Sequence, residues 1–444
     1  MNTSPSLDRR IWGIAWPAIL SNISIPLLGL VDAAILGHLE NASFLGAVAI
    51  GAALLSFLYW GFSFLRMGTT GLVARACGAG DQAGAFLVLM QSVVLAAVLA
   101  ILVIALHPLW LGLGLTLMNP QPELMPLADS YARIRIASAP AVLVTYAVVG
   151  WFIGRQDTRW PMVIVVLTNV TNIGLDFLFI VGLGMNSDGA AIATVISEYL
   201  GLAVAVLVVR RNLPVGAWRE VRGQLLDWPA YRQLLRSNRH LFVRTVCLLA
   251  SFAFFTAMGD KLGGAVLAAN TLLIHLLMLA AYGLDGFAFA AEGLSGAALG
   301  ARDLHAFLRA VRRCALWCYG TATLVSLAFA LLHPVLIPVL TGLAPVREVM
   351  FDHIVWLIVL PVLAAPSYLL DGVFIGSAET RPMMVTMLLS AGLVYLPTWY
   401  LTRDLGNHGL WLAFSCFNAA RGLSLWLWYR HLCRHGGWLR PKVS

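Results

Sequence analysis

Twelve apolar runs, each of about twenty residues or more, take up most of this chain. They fall at about 11–36, 44–74, 84–107, 129–153, 161–182, 188–209, 238–258, 266–298, 307–332, 351–376, 383–402 and 408–430. A run of that length crosses the roughly 30 Å hydrocarbon layer of a bilayer as a helix. Backbone groups in lipid have no water to bond to, so each run is predicted to be a helix that satisfies itself. Turn-forming stretches separate the runs, among them GHLEN, GAGDQ, NPQPE, GRQDTRW, GMNSDG, GARD, SAETRP and RDLGNHG. Only 11% of the residues are charged, against about 25% in a soluble domain, so no water-soluble core accounts for the chain. The polar start MNTSPSLDRR, followed by a run long enough to span, predicts an uncleaved first helix.

The basic residues give the orientation. Arg9, Arg10, Arg75, Arg155, Arg159, Arg302, Arg309, Arg312, Arg313, Arg381, Arg430, Arg434, Arg440 and Lys442 fall on one side, with Arg210, Arg211, Arg219, Arg222, Arg232, Arg236 and Arg239 in the longest loop. The other side has Lys261, Arg347 and Arg403, while Arg133 and Arg135 lie just inside a span. The positive-inside rule then places both termini in the cytoplasm of a multi-pass protein, expected in a bacterial inner membrane. The net charge of +8 therefore reads as orientation, and no nucleic-acid partner is expected.

The chain repeats itself. At an offset of 222 residues Gly37 meets Gly259, Leu45 meets Leu267, Gly61 meets Gly283, Gly71 meets Gly293, Gly78-Ala79 meets Gly300-Ala301 and Asp81 meets Asp303. Further on, Gly150 meets Gly372, Phe152-Ile153-Gly154 meets Phe374-Ile375-Gly376, and Thr158-Arg159 meets Thr380-Arg381. Six spans per half is an even number, so both halves insert the same way up. The expected fold is an all-α integral membrane protein of twelve transmembrane helices, in two six-helix lobes related by pseudo-two-fold symmetry as a parallel repeat. The lobes are residues 1–209 and 238–444, joined by a basic cytoplasmic linker, 210–237.

Charged groups inside the membrane are costly, roughly 2.5–3.5 kcal/mol each on insertion scales, and mark function. Asp32 lies near the outer end of the first span, and Asp176 and Thr194 lie about six residues from the outer ends of the fifth and sixth. At about 1.5 Å per residue all three are at similar depth, roughly 6–9 Å below the outer surface. Asn172 precedes Asp176 by one helical turn, and Glu198 follows Thr194 by one. Two carboxylates, an amide and a hydroxyl converging there would suit a proton or Na⁺; the alternative is that each acid merely pairs with a helix end or an amide. Asp285 and Glu292 share a face of the eighth span and Asp371 lies in the tenth. They either line the second lobe as further coupling or substrate-cavity residues or make structural hydrogen bonds. Arg66 either pairs with an acid or reaches the inner interface. Pro17 and Pro26 interrupt the hydrogen bonding of the first span, as a hinge or as a static kink.

Several blocks, PAILSNISIPLLGLVDAAILGHL, FLRMGTTGLVARACGAGD, NVTNIGLDFLFIVGLGMNSDGAAIAT, AYGLDGFAFAAE, YLLDGVFIGSAETR, and GLWLAF with ARGLSL, resemble the multidrug and toxic compound extrusion family, within its DNA-damage-inducible protein F branch. The resemblance spans the chain. It implies a secondary active antiporter that exports organic, often cationic and amphipathic compounds in exchange for H⁺ or Na⁺ by alternating access. It also implies a cation site at Asp32, Asn172, Asp176 and Thr194, with Pro17 at the bend of the first helix. The seventh span, LFVRTVCLLASFAFFTAMG, lacks the acid of the family's Na⁺-driven branch. That favours H⁺ coupling through the first lobe, with Na⁺ at the same site left open.

The competing transporter reading is a flippase for lipids or lipid-linked oligosaccharides. It would need a cationic cavity, for which only Arg66, Arg133, Arg135 and Arg244 are available. An enzyme is not expected: His107, His333 and His408 sit at span ends, and no HExxH or nucleophile pattern occurs. The six cysteines form no CxxC pair, so neither a metal nor another cofactor is expected. The expected partners are small organic solutes and the lipid bilayer, with the chain working as a monomer.

Overall fold

The computed structural model describes residues 6–37, 42–118, 120–213, 216–225 and 228–439, and every regular element among them is helical. Arg440 and Lys442 of the cytoplasmic charge set lie outside these residues. The first expected span is α1 (Leu7–Gly37), and the second is α2 (Ala42–Gly61) followed by α3 (Phe64–Gly78). Next come α4 (Gln82–Ala105), a short helix α5 (His107–Met118), and the fourth span as α6 (Met125–Arg135) and α7 (Ala139–Gly154). The fifth and sixth are α8 (Arg159–Asp176) and α9 (Asn186–Asn212), followed by α10 (Ala217–Val221) in the linker. The second half holds α11 (Trp228–Asp260), α12 (Gly264–Gly300), α13 (Leu304–Leu340), α14 (Ala344–Gly376), α15 (Thr380–Leu389), α16 (Leu396–Thr402) and α17 (Asn407–Arg434).

Eleven helical stretches among the described residues are long and apolar enough to cross a membrane. The twelfth expected span, α17, has 28 residues and reaches about 42 Å. It is more polar than the rest because Asn407, Asn418 and Arg421 are turned inward and buried. The outer faces are apolar: Ile101 is 65% exposed, Leu331 68% and Leu393 70%, surfaces that acyl chains cover at no cost.

Four spans are not uniform α-helices, and each departure has a local cause. At Phe62-Ser63 the chain makes i→i+3 bonds, Phe62 N–H to the Tyr59 carbonyl at 2.9 Å and Ser63 N–H to that of Trp60 at 3.0 Å, so the second span is two pieces. A 3₁₀ turn at Ile136–Ser138 divides α6 from α7, just before Pro140. The fifth span ends in a π turn, Phe177–Gly182, and the eleventh carries one at Ser390–Tyr395 before Pro397. A π turn widens the helix by one residue and is common at functional sites.

The chain packs as two compact units. One consists of Met1–Ile19, Ala74–Gly80 and Arg236–Ser444, and the other of Leu20–Val73 and Asp81–Leu235; we call them the C-unit and the N-unit. The C-unit core includes Leu273, Leu357 and an aromatic cluster in which Phe255 meets Trp411 edge-on, 4.9 Å between ring centroids. Beside it Asn270 and Asn407 exchange two amide hydrogen bonds, of 2.8 and 3.0 Å, and Trp411 Nε1 donates to Asn270 at 2.9 Å. Inside the N-unit Gly150 of α7 lies against the Arg66 carbonyl of α3, and inside the C-unit Gly372 of α14 lies against the Ala288 carbonyl of α12. Both members of each contact are related by the offset of 222. Within the C-unit Gly78 abuts Ala297 while Gly300 abuts Arg75, the reciprocal contact of two equivalent segments. The loops repeat too: Asp81 caps Gly84 N–H at 2.7 Å and Asp303 caps Ala306 N–H at 2.8 Å.

Candidate functional site

The N-unit brings together Asp32 near the end of α1, Asn172 and Asp176 in the last turns of α8, and Thr194 in the third turn of α9. Asn172 and Asp176 are fully buried and Asp32 is half-buried. The Thr194 hydroxyl donates to the Ala190 carbonyl at 2.9 Å and accepts from Asn172 Nδ2 at 3.3 Å. That bond turns the carbonyl oxygen of Asn172 the other way. The carboxyl groups of Asp32 and Asp176 lie near enough to act on each other's charge.

Four buried oxygens here have no hydrogen-bond partner: Asp32 Oδ1, Asn172 Oδ1 and both carboxyl oxygens of Asp176. Buried polar atoms are nearly always paired, and two unpaired carboxylates side by side in a low-dielectric medium repel. A set of acceptors with no donor among them suits a proton or a small hard cation. Local sequence makes the set possible. Asn172 and Asp176 are one turn apart on α8, and the π turn begins immediately after Asp176.

Sequence reasoning missed a second anchor of this region. Asn169, on the same face of α8 as Asn172 and Asp176, donates to the backbone carbonyl and the hydroxyl of Ser24, each at 3.2 Å. Ser24 lies two residues before Pro26, which has no N–H to give to the Asn22 carbonyl. Helix α1 remains continuous through Pro17, which is buried, and Pro26, which is exposed. Asn169, Asn172 and Asp176 at i, i+3 and i+7 were the readable signal.

Glu198 stands apart from the unpaired acids. Its Oε2 accepts from Arg135 at 2.9 Å, and the same guanidinium nitrogen donates to Ser138 at 3.0 Å. Tyr59 completes the network, 3.3 Å from the Ser138 hydroxyl. Arg135 is held by the 3₁₀ turn that follows it, and its charge also acts on Asp32. Arg133 points elsewhere and pairs with Asp129 in an exposed i,i+4 bridge. Arg66 is half-buried on α3 and engaged.

The C-unit acids are placed differently. Asp371 on α14 bonds two guanidiniums at one oxygen: Arg244 of α11, and Arg421 of α17 at 3.0 Å. Arg421 also donates to Asn418 at 3.3 Å, and all four side chains are buried. Two cations on one anion leave this cluster positive. Arg244 stands in the very span where the sequence shows no acid, and Arg421, inside ARGLSL, carried no signal that pointed to a partner. Asp285 is half-buried and Glu292 fully buried, and both are engaged. Both belong to the C-unit, and the Asp32–Asp176 group belongs to the N-unit. No cluster of three or more His, Cys, Asp or Glu that could hold a metal occurs among the described residues.

The sequence model of the MatE family matches twice, over residues 17–178 and 241–401, one match in each half. The DNA damage-inducible protein F of Escherichia coli K12 is 39% identical over 98% of this chain and 94% of its own length. A probable multidrug resistance protein NorM of Thermotoga maritima is 23% identical over 92% of this chain and 89% of its own. Among solved structures, a MOP superfamily transporter from Pyrococcus furiosus superposes with a TM-score of 0.87 at 22% identity, covering 98% of both chains. The Vibrio cholerae MATE transporter VcmN in its bent form gives 0.86 at 22% identity, over 98% of this chain and 99% of that one.

Proposed function

Since the chain belongs to the MatE family, whose members are membrane transporters and not enzymes, we propose that it is an antiporter exporting organic, chiefly cationic and amphipathic compounds in exchange for H⁺. The observation that carries this reading is the set of four unpaired buried oxygens on Asp32, Asn172 and Asp176. The similarity to the probable multidrug resistance protein NorM supports efflux of small organic solutes.

In this reading a proton enters from outside and is shared between Asp32 and Asp176. Once it is bound, the pair no longer carries two like charges, and burying the site more deeply costs less. Helix α1 responds at its two proline positions, with Asn169 holding it at Ser24, and substrate is displaced outward. Alternating access by two lobes, 1–209 and 238–444 joined by the linker 210–237, then exposes the proton to the cytoplasm. The membrane potential adds roughly 2.3 kcal/mol per charge per 100 mV to its inward movement. The chain works as a monomer in the inner membrane with both termini in the cytoplasm.

The choice of H⁺ over Na⁺ is supported by the C-unit. Asp371 is neutralised by Arg244 and Arg421, and a positive cluster does not attract a second cation. The arginines give the flippase reading little: Arg135 is taken up by Glu198 and Arg133 by Asp129, and the Arg244–Asp371–Arg421 cluster keeps a single net positive charge.

The test uses purified protein in liposomes loaded with a fluorescent organic cation, with a pH gradient or a Na⁺ gradient imposed separately. Efflux driven by the pH gradient and lost in Asp32→Asn is expected. Efflux driven by Na⁺ alone overturns the choice of ion. No efflux under either gradient, from folded protein, overturns antiport and turns attention to lipid transport.

A further inference from the structure

A cavity of about 1080 Å³ opens in the C-unit between the first turn of α1 and the first half of α13. Four arginines line it, Arg10 from α1 and Arg309, Arg312 and Arg313 from α13, and its remaining wall is apolar, including Leu7, Leu316 and Tyr319. Acids beside it include Asp8, which lies 3.7 Å from Arg313 and accepts from Trp317 Nε1 at 3.1 Å, and Asp303, which caps the N–H of the lining residue Ala306 at 2.8 Å. Four guanidiniums against these two carboxylates leave the cavity basic.

The order of residues along α13 is informative. Arg309, Arg312 and Arg313, then Leu316 and Tyr319, follow one another at helical spacing on one stripe, and all five are exposed. The stripe passes from guanidinium to aliphatic to aromatic over ten residues, about 15 Å. Arginines that only record membrane orientation lie in loops and face water. Here they enclose a cavity whose other wall is apolar, which is the polarity of an amphiphile with an anionic head. Both helix starts lie on the side that the basic loops assign to the cytoplasm, where the leaflet carries anionic lipid.

We propose that this cavity binds an anionic phospholipid of the inner leaflet. Its phosphate is held by Arg309, Arg312 and Arg313, with Arg10 closing the site from α1, and its acyl chains run along Leu316 and Tyr319. Arginine suits the role because its planar fork bonds two phosphate oxygens at once. The site is independent of the Asp32–Asp176 group and of the choice of coupling ion.

The test follows the thermal unfolding midpoint of the full-length protein in neutral detergent as phosphatidylglycerol, phosphatidylcholine or inorganic pyrophosphate is added. Phosphatidylglycerol is expected to raise the midpoint saturably, and phosphatidylcholine is not. In the double variant Arg309→Gln/Arg312→Gln the half-saturating amount rises roughly tenfold or more. Ala315→Phe fills the cavity without altering any charge and produces the same loss. The midpoints without lipid report whether each variant is folded, and retention of gradient-driven efflux in phosphatidylcholine liposomes provides the second check. An equal response to the two lipids, or an unchanged response in both variants, overturns the proposal. A full response to pyrophosphate alone assigns the cavity to a soluble phosphate and also overturns it.

Discussion

Asp32 and Asp176 differ from Glu198 and Asp371 in having no guanidinium bonded to them among the described residues. Glu198 has Arg135, and Asp371 has Arg244 and Arg421. This contrast yields opposite expectations for substitution. Asp176→Asn removes a buried negative charge that no cation answers, so gradient-driven efflux is lost while the unfolding midpoint in detergent stays level or rises. Arg135→Ala strands Glu198 and should cost about 3 kcal/mol of stability. Adding Glu198→Gln to it should recover most of that loss, and the same unfolding assay reads both. Spacing alone placed Asn172 one turn before Asp176 on α8 and Glu198 one turn after Thr194 on α9. It did not find Arg135 with Glu198, or Arg421 with Asp371, because those partners are 63 and 50 residues apart and no periodicity links them.

At the level of single helices, α1 is the element expected to move. Pro17 and Pro26 each leave a carbonyl one turn earlier without its backbone donor, and the Asn169–Ser24 bonds fasten the helix just before the second break. Pro26→Ala restores a backbone bond. It should raise stability, slow hydrogen exchange of α1 and reduce turnover, while substrate affinity changes little. The α3–α12 crossing is expected to be rigid. A side chain at Gly78 would strike the Ala297 carbonyl and one at Gly300 that of Arg75, so Gly78→Val and Gly300→Val should each destabilise by about 1–3 kcal/mol and to a similar extent. The matched glycines were visible as a repeat at one offset before their contacts were known. The breaks at Phe62-Ser63 and Ile136–Ser138 were not visible, because hydropathy averages over a span and does not register a change of hydrogen-bond pattern within it. The polar character of α17 has the same origin: Asn407, Asn418 and Arg421 reduce its hydropathy because they serve the interior.

For the molecule as a whole, apolar runs and the 222-residue repeat carried most of the fold, since the bilayer admits few alternatives to a helix bundle. What they left out is where charge is balanced. Among the described residues the N-unit holds two acids, Asp32 and Asp176, to which no guanidinium is bonded, and the C-unit holds one, Asp371, to which two are bonded. Under the proposed H⁺ coupling through Asp32 and Asp176, efflux should continue undiminished when Na⁺ is replaced by choline throughout. The central claim is that substrate and proton compete through Asp32 and Asp176, and the most direct measurement is proton release on substrate binding. Purified protein in weakly buffered detergent, with a pH indicator present, should release about one proton for each organic cation bound, and Asp32→Asn should bind the cation without releasing any. Binding by the unaltered protein with no change in pH, or release that persists undiminished in Asp32→Asn, would contradict the account.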